Sequence, residues 1–222
     1  MIPFSIEGVV FDVDGVLFDT ERLMQQVWLE ISAQMGWPQV GTDYLEFVGQ
    51  NRTDIYAKML RFYGPEFPKE DFLLSCSQRL QDRMEREGVP MKPGVRELFD
   101  WLQAQDIPIA IATSTAMVRT KRRMEMTGLD RYLRAMVTGD QVVRGKPDPE
   151  IYLLACRALG TDPAHTLAVE DSRNGILSAS AAGMPTVMVP DLIAPAGDLE
   201  ALLWKRCSSL RELRQELAEA AL

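Results

Sequence analysis

IEGVVFDVDG (residues 6–15) joins an apolar run to two aspartates one residue apart. The run IEGVVF (6–11) is short, rich in Val and free of polar alternation, which predicts a strand buried on both faces, as in a parallel sheet. Asp12 then stands at the C-terminal end of that strand, where open α/β sheets bind ligands. Asp14, two residues on, can point to the same side by the period of a strand. Gly15 lets the chain turn away sharply. A pair of turn aspartates meets the same description, so the meaning of the pair rests on the remainder of the chain. A calcium loop does not meet it. Counted from Asp12, its sixth position requires Gly and its twelfth Glu, and these are Leu17 and Leu23.

Four later runs share the character of the first: IPIAIAT (107–113), LRAMVT (133–138), TLAVE (166–170) and PTVMV (185–189). Helical stretches with end signals lie between them. STAMVRTKRRMEMTG offers Ser114 or Thr115 as N-cap and Gly128 as stop. DPEIYLLACRALG offers Asp148 as N-cap, Pro149 at the first helical position and Gly160 as stop. SRNGILSASAAGMP ends at Gly183 with Pro185 just beyond. Strands alternating with helices predict an α/β fold, a doubly wound, Rossmann-like parallel sheet.

The alternation stops between the first strand and IPIAIAT. In TERLMQQVWLEISAQMG, Leu23, Val27, Ile31 and Met35 recur at helical spacing before Gly36. TDYLEFVG carries Asp43 and Glu46 at capping-box spacing. TDIYAKMLRFYG and KEDFLLSCSQRLQDRMEREG follow, and PGVRELFDWLQAQD leads into the second strand. A structureless loop of that length is excluded in a compact domain. Residues 20–90 are therefore expected to form a helical cap domain inserted above the C-terminal edge of the sheet, and residues 1–19 with 91–222 the core domain. SLRELRQELAEAAL at the C-terminus is expected to be an exposed amphipathic helix.

Composition narrows the partners. The formal net charge of −8 opposes binding to nucleic acid or to an anionic membrane. An anionic substrate thus needs local positive charge. Cys76, Cys156 and Cys207 are odd in number, widely spaced and match no zinc pattern, as buried reduced thiols would be. MIPFSIEGVV lacks a basic signal-peptide start and no run approaches the length of a membrane span, so a cytoplasmic protein is expected.

Three more strand ends carry chemistry. Thr113, Ser114 and Thr115 lead from a strand into a helix, where hydroxyls and free N–H groups make an anion site or a simple cap. Lys146 in GKPDPEIY precedes another helix, as a site cation or a solvated lysine. Glu170 and Asp171 end TLAVED, and adjacent carboxylates after a buried strand require a neutralising cation. A hard cation with oxygen ligands, Mg2+, fits them best. The basic run RTKRR (119–123) reads as a solvated helix face, with weak steering of phosphate esters as the alternative; the acidic chain and the lack of interleaved aromatics argue against a nucleic-acid site there.

DVDGVLFDT, IATST, GKPDPEIY and VEDSRNG stand in order along nearly the whole chain. The set resembles the four motifs of the haloacid dehalogenase superfamily, in its phosphatase and phosphomutase branch with a helical cap. The resemblance implies that Asp12 is a nucleophile forming an aspartyl phosphate and that Asp14 is an acid and then a base. It implies that Thr113, Ser114 and Thr115 bind the phosphoryl group and that Lys146 offsets negative charge. Mg2+ would be held by Asp12, Asp14 (through its carbonyl), Glu170 and Asp171. Asp14 must be protonated when the leaving group departs, and neighbouring carboxylates are expected to favour that. The second aspartate sets the chain apart from the dehalogenases of the superfamily.

Within the branch the chain is most similar to β-phosphoglucomutase-like proteins. GQNR (49–52) resembles a cap segment that contacts the distal part of the substrate, which nominates Gly49 and Arg52. Three departures favour hydrolysis over mutase chemistry. Met24 stands where the mutase has an assisting histidine, Ala116-Met117 where it has a lysine–asparagine pair, and no counterpart of its cap lysine is found. His165, the sole histidine, lies before a strand and reads as structural. The expectation is a Mg2+-dependent phosphomonoester hydrolase acting on a small phosphorylated metabolite such as a sugar phosphate, as a monomer or weak dimer. A phosphomutase and a non-catalytic binding module on the same fold are the alternatives.

Overall fold

The computed structural model describes residues 5–50, 52–192 and 197–220. Residues 1–4 of MIPFSIEGVV, Asn51 of GQNR and the last two residues of the C-terminal helix pattern lie outside them. The elements run in the order β1 (Gly8–Phe11), α1 (Thr20–Gln34), α2 (Pro38–Thr42), α3 (Arg52–Tyr63), α4 (Lys69–Glu87), α5 (Val95–Ala104), β2 (Ile109–Thr113) and α6 (Met117–Thr127). They continue with β3 (Leu133–Thr138), α7 (Glu150–Leu159), β4 (Thr166–Glu170), α8 (Arg173–Ala181), β5 (Thr186–Met188), β6 (Lys205–Arg206) and α9 (Leu210–Ala220).

The chain divides into two compact units, one of Met1–Asp19 and Met91–Leu222, the other of Thr20–Pro90. The first holds the sheet. Its six strands are all parallel, in the order β3-β2-β1-β4-β5-β6. β1 lies between β2 and β4, so the chain winds outward in both directions from β1, and the crevice of such a sheet opens at that switch point. Val9 pairs with Ile109 and with Leu167, and Phe11 with Ile111 and with Val169, which sets the ends of β1, β2 and β4 level.

The two faces of the sheet are packed differently. Ala110, Ala112 and Ala168 line one face with Val10, and α7 packs there through Ile151, Tyr152, Ala155, Cys156 and Leu159. Small strand residues let that helix approach closely, which brings Tyr152 under the strand ends. Elsewhere in the core the Phe11 ring meets Phe99 of α5 at 5.0 Å between centroids. The three cysteines are buried and free, and burial pushes their thiols up, to about 12 for Cys76 and about 11 for Cys207.

The helical unit is built on aromatic rings as much as on the anticipated i,i+4 stripe of α1. Val27 and Ile31 are buried, but Leu23 and Met35 are half-buried. Trp28 takes their place in the centre. Its ring lies 5.0 Å from Tyr44, 5.2 Å from Phe47 and 5.0 Å from Phe72. Edge and tilted contacts of this kind add to the area that the rings bury.

Several end signals work in ways the linear pattern did not show. Gly160 closes α7 in the left-handed conformation as expected, but the helix starts at Glu150 with Pro149 as its N-cap, and Asp148, one residue further out, receives the Glu150 N–H at 3.0 Å. α6 is different. Its N-cap is Ala116, and the Met117 N–H donates to Asp140 Oδ1 at 3.1 Å, a cap supplied from beyond β3. Asp43 caps nothing with its side chain and instead receives the Tyr63 hydroxyl at 2.9 Å. β3 lies at the sheet edge and is only partly buried in its first four residues, unlike the fully buried strand expected. β6 was not anticipated, since two residues carry no readable period. α9 is amphipathic as expected but not simply exposed: Leu210, Leu213 and Leu217 are buried, and Arg211 reaches Glu97 of α5 at 3.2 Å. Among the described residues no helix is long and apolar enough to cross a membrane.

Candidate active site

Asp12 is the first residue beyond β1, and its N–H donates to Val169 O on β4 at 3.0 Å. That bond extends the β1–β4 ladder past the strand end and fixes the Asp12 backbone beside Glu170. The register does the rest. Residues of even number on β1, β2 and β4 share the alanine-lined face, so Asp12 and Glu170 continue the rows of Val10 and Ala168.

Lys146 enters between them. Its ammonium donates to Asp12 Oδ1 at 2.6 Å, to Glu170 Oε1 at 2.5 Å and to Ala112 O at 2.9 Å, three donors to three acceptors. Its charge lies 5.0 Å from the centroid of the Tyr152 ring. Burial presses the ammonium towards neutrality, but the Asp12 and Glu170 carboxylates outweigh it and hold Lys146 above its ordinary value. Asp12 moves the other way. Burial, reinforced by Glu170, pushes its carboxyl up to about 7 against the pull of Lys146.

Glu170 is fully buried and committed on both oxygens. Oε1 receives Lys146 and the Tyr152 hydroxyl at 2.7 Å. Oε2 receives the Asp171 and Ser172 N–H groups at 3.1 and 3.2 Å and the Ser172 hydroxyl at 3.1 Å. Burial, reinforced by Glu170, pushes the Tyr152 phenol well above its usual range, so it stays a donor. Ser172 also receives the Gly175 N–H at 3.1 Å, which caps α8. Glu170 thus ties Lys146, α7 and the start of α8 together.

Two glycines make room for these carboxylates. A Cβ on Gly15, whose φ is +86°, would lie 2.2 Å from Asp171 Oδ2. A Cβ on Gly175 would lie 1.8 Å from Glu170 Oε1. Gly175→Ala raises helix propensity by about 1 kcal/mol, yet the expected result is a loss on the order of 3 kcal/mol. Glu170 has five donors around it and nowhere to go. Chemical unfolding of the variant checks the sign, and a stabilised protein would contradict this packing.

The hydroxyl segment after β2 is arranged around Asp14 as well as the strand end. Thr113 is buried, and its Oγ1 receives the Thr115 N–H at 3.1 Å. The Thr115 hydroxyl donates to Asp14 Oδ2 at 2.7 Å. Ser114 is exposed. Asp14 also receives Arg123 NH1 on Oδ1 at 2.7 Å. The linear motifs place only carboxylates beside Asp14, and the fold adds this cation. It also corrects the solvated reading of RTKRR at its last residue, because Arg123 is 4% exposed. Thr120, Arg123, Met124 and Thr127 are all buried at i, i+3, i+4 and i+7, a helical period that the charge of the run masks.

Asp12, Asp14, Thr113, Thr115, Lys146, Glu170 and Asp171 therefore meet at one edge of the sheet. Gly49 and Arg52 belong to the helical unit. Gly49 has a φ of +73°, and Arg52 opens α3 with its NH2 on the Tyr56 hydroxyl at 2.7 Å. Tyr152, Gly175 and Arg123 are the site's further members, and none stood out in the sequence as a chemical group.

One oxygen each of Asp12, Glu170 and Asp171 lies within 4.8 Å of the others. The donor set is all carboxylate, which suits a hard divalent cation such as Mg2+ and not a soft metal. Three carboxylates against one ammonium also leave negative charge for it to balance.

A family model described as haloacid dehalogenase-like hydrolase matches residues 9–189. A phosphorylated carbohydrates phosphatase of Thermotoga maritima is 32% identical over 185 residues, covering 82% of this chain and 84% of that protein. The crystal structure of CbbY from Rhodobacter sphaeroides in complex with phosphate superposes with a TM-score of 0.76 at 27% identity, covering 94% of this chain and 96% of that one. The β-phosphoglucomutase of Clostridium difficile shares the fold, with a TM-score of 0.75 at 19% identity over 97% and 96% of the two chains.

Proposed function

The chain belongs to the haloacid dehalogenase-like hydrolases and acts on phosphoric monoesters, and from that premise we propose that it releases phosphate from a small phosphorylated metabolite of the sugar-phosphate class. The observation that carries the reading is the Asp12–Lys146–Glu170 assembly, a carboxylate held at a strand end by a buried ammonium.

In this mechanism Asp12 attacks the phosphorus in line and the ester oxygen leaves from the far side. Lys146 fixes one Asp12 oxygen and keeps the carboxylate oriented. Asp14 gives its proton to the departing oxygen, then takes one from the water that cleaves the aspartyl phosphate and releases inorganic phosphate. The Thr113 and Ser114 hydroxyls, with free amides beside them, donate to the phosphoryl oxygens, while the Thr115 hydroxyl stays on Asp14. Asp12, Asp171 and the Asp14 carbonyl, supported by Glu170, would hold Mg2+. Bound there, the cation supplies positive charge against the phosphoryl oxygens. Specificity is assigned to the helical unit, with Gly49 and Arg52 as contacts for the part of the substrate remote from phosphorus.

Hydrolysis is preferred to phosphoryl transfer between two positions of a sugar. Ala116 and Met117 open α6 with no charged side chain, and the Met117 N–H is already taken by Asp140. The test is a phosphate-release screen with Mg2+ over sugar phosphates, nucleotides and small phosphorylated acids. Turnover confined to phosphomonoesters and dependent on Mg2+ is expected. Isomerisation of β-glucose 1-phosphate without release would replace the hydrolase by a mutase, and silence over the whole panel would sink both.

A further inference from the structure

Arg123 is a buried cation for which the proposed mechanism has no use. It lies on α6, ten residues beyond Thr113, and its guanidinium reaches back to the loop after β1. NH1 donates to Asp14 Oδ1 at 2.7 Å, while Thr115 holds the other oxygen at 2.7 Å. Its Nε is buried with no hydrogen-bond partner. Burying a guanidinium is costly, and leaving one of its donors unsatisfied adds to the cost. The buried stripe of α6 otherwise holds Thr120, Met124 and Thr127, so an apolar side chain at Arg123 would serve packing better. The site contains two buried cations with divided work: Lys146 grips Asp12 and Glu170, and Arg123 grips Asp14.

We infer that Arg123 is a positioning residue which, together with Thr115, fixes the Asp14 carboxyl for proton transfer to the leaving oxygen. A carboxyl group turns freely about its terminal torsion. Acid catalysis requires one oxygen to meet the ester oxygen within hydrogen-bond reach. A donor on each oxygen from the β2–α6 segment sets that torsion, and Arg123 is anchored by a helix rather than by a loop. The residue acts on the reaction through Asp14 and is assigned no contact with the substrate.

The inference rests on the hydrolase reading, and leaving-group dependence separates the two. An alkyl phosphate needs its leaving oxygen protonated, whereas p-nitrophenyl phosphate releases a stable anion and needs little help. Arg123→Met is compared with the unaltered protein on glycerol phosphate and on p-nitrophenyl phosphate, with Mg2+ present and folding checked by thermal unfolding. The expected result is a fall in kcat/KM of about 10- to 100-fold for the alkyl ester, and of no more than about threefold for the aryl ester. An equal fall for both esters would show a merely structural role, and no fall for either would show no role. Both results overturn the inference. Should Arg123→Met not fold, Arg123→Lys, which keeps the cation but loses the planar guanidinium whose NH1 reaches Asp14, is judged by the same split. If the unaltered protein hydrolyses neither ester, or Asp12→Asn matches it, the hydrolase reading itself fails and takes this inference with it.

Discussion

Asp12→Asn is expected to reduce phosphate release by roughly four orders of magnitude. The amide keeps the size of the side chain and an oxygen for Lys146, but it cannot attack phosphorus. The loss should appear in kcat with every ester, because no other route opens through the remaining groups. The variant should nonetheless be folded. Asp12 is a buried acid whose carboxyl is pushed up to about 7, so its ionisation opposes folding when no Mg2+ is present. An unfolded aspartate titrates near 3.8. An acid with a raised value in the folded state lends stability below the unfolded value and loses it as the pH rises through the folded one. Between pH 5 and pH 8 the Mg2+-free protein should thus lose on the order of 2 kcal/mol that Asp12→Asn does not lose. Urea unfolding of both proteins at the two pH values measures the difference. Undiminished turnover in the variant would remove Asp12 from the mechanism, and parallel pH profiles would remove it from the stability argument.

Lys146→Met has the largest expected effect on stability. Lys146 bonds Asp12 and Glu170 at once, and both lie in the wall of the sheet. Removing the ammonium leaves two carboxylates without their shared cation, at a cost of about 3–5 kcal/mol. Methionine matches the length of the side chain, so the loss is not a cavity effect. Its dependence on pH identifies the cause. At pH 5 Asp12 can take up a proton and relieve the repulsion, and the deficit relative to the unaltered protein should shrink. At pH 8 it should be largest. A deficit independent of pH would point to packing instead of charge.

The four motif segments and the β–α alternation were legible because they are local. A strand buried on both faces must be apolar throughout, and a helix end must be capped or stopped within a turn. TLAVE became β4, buried throughout, over the residues expected, and LRAMVT became β3 over the expected residues although its edge position leaves the first four only partly buried. Gly128 and Gly160 closed their helices in the left-handed conformation. Where a cap came from elsewhere, as Asp140 supplies it to α6, the linear pattern named the wrong residue.

The separation of roles inside the site is less local. Glu170 and Asp171 are neighbours in sequence and looked alike as cation ligands. Packing gives Glu170 five donors from Lys146, Tyr152, the Asp171 amide and Ser172, so its work is to hold the site together. Arg123 was read by its charge and its basic neighbours. Only the path of α6 against the loop after β1 shows that this guanidinium points inward to Asp14.

By itself the sequence determined the parallel α/β fold and the residue types at the strand ends, because burial and capping act over a few residues. The tertiary structure alone decided which charges are partners. Ion pairs such as Lys146–Asp12 and Arg123–Asp14 join residues more than a hundred positions apart. Their strength depends on distance and burial, and neither is a property of the chain until the sheet brings its strand ends level.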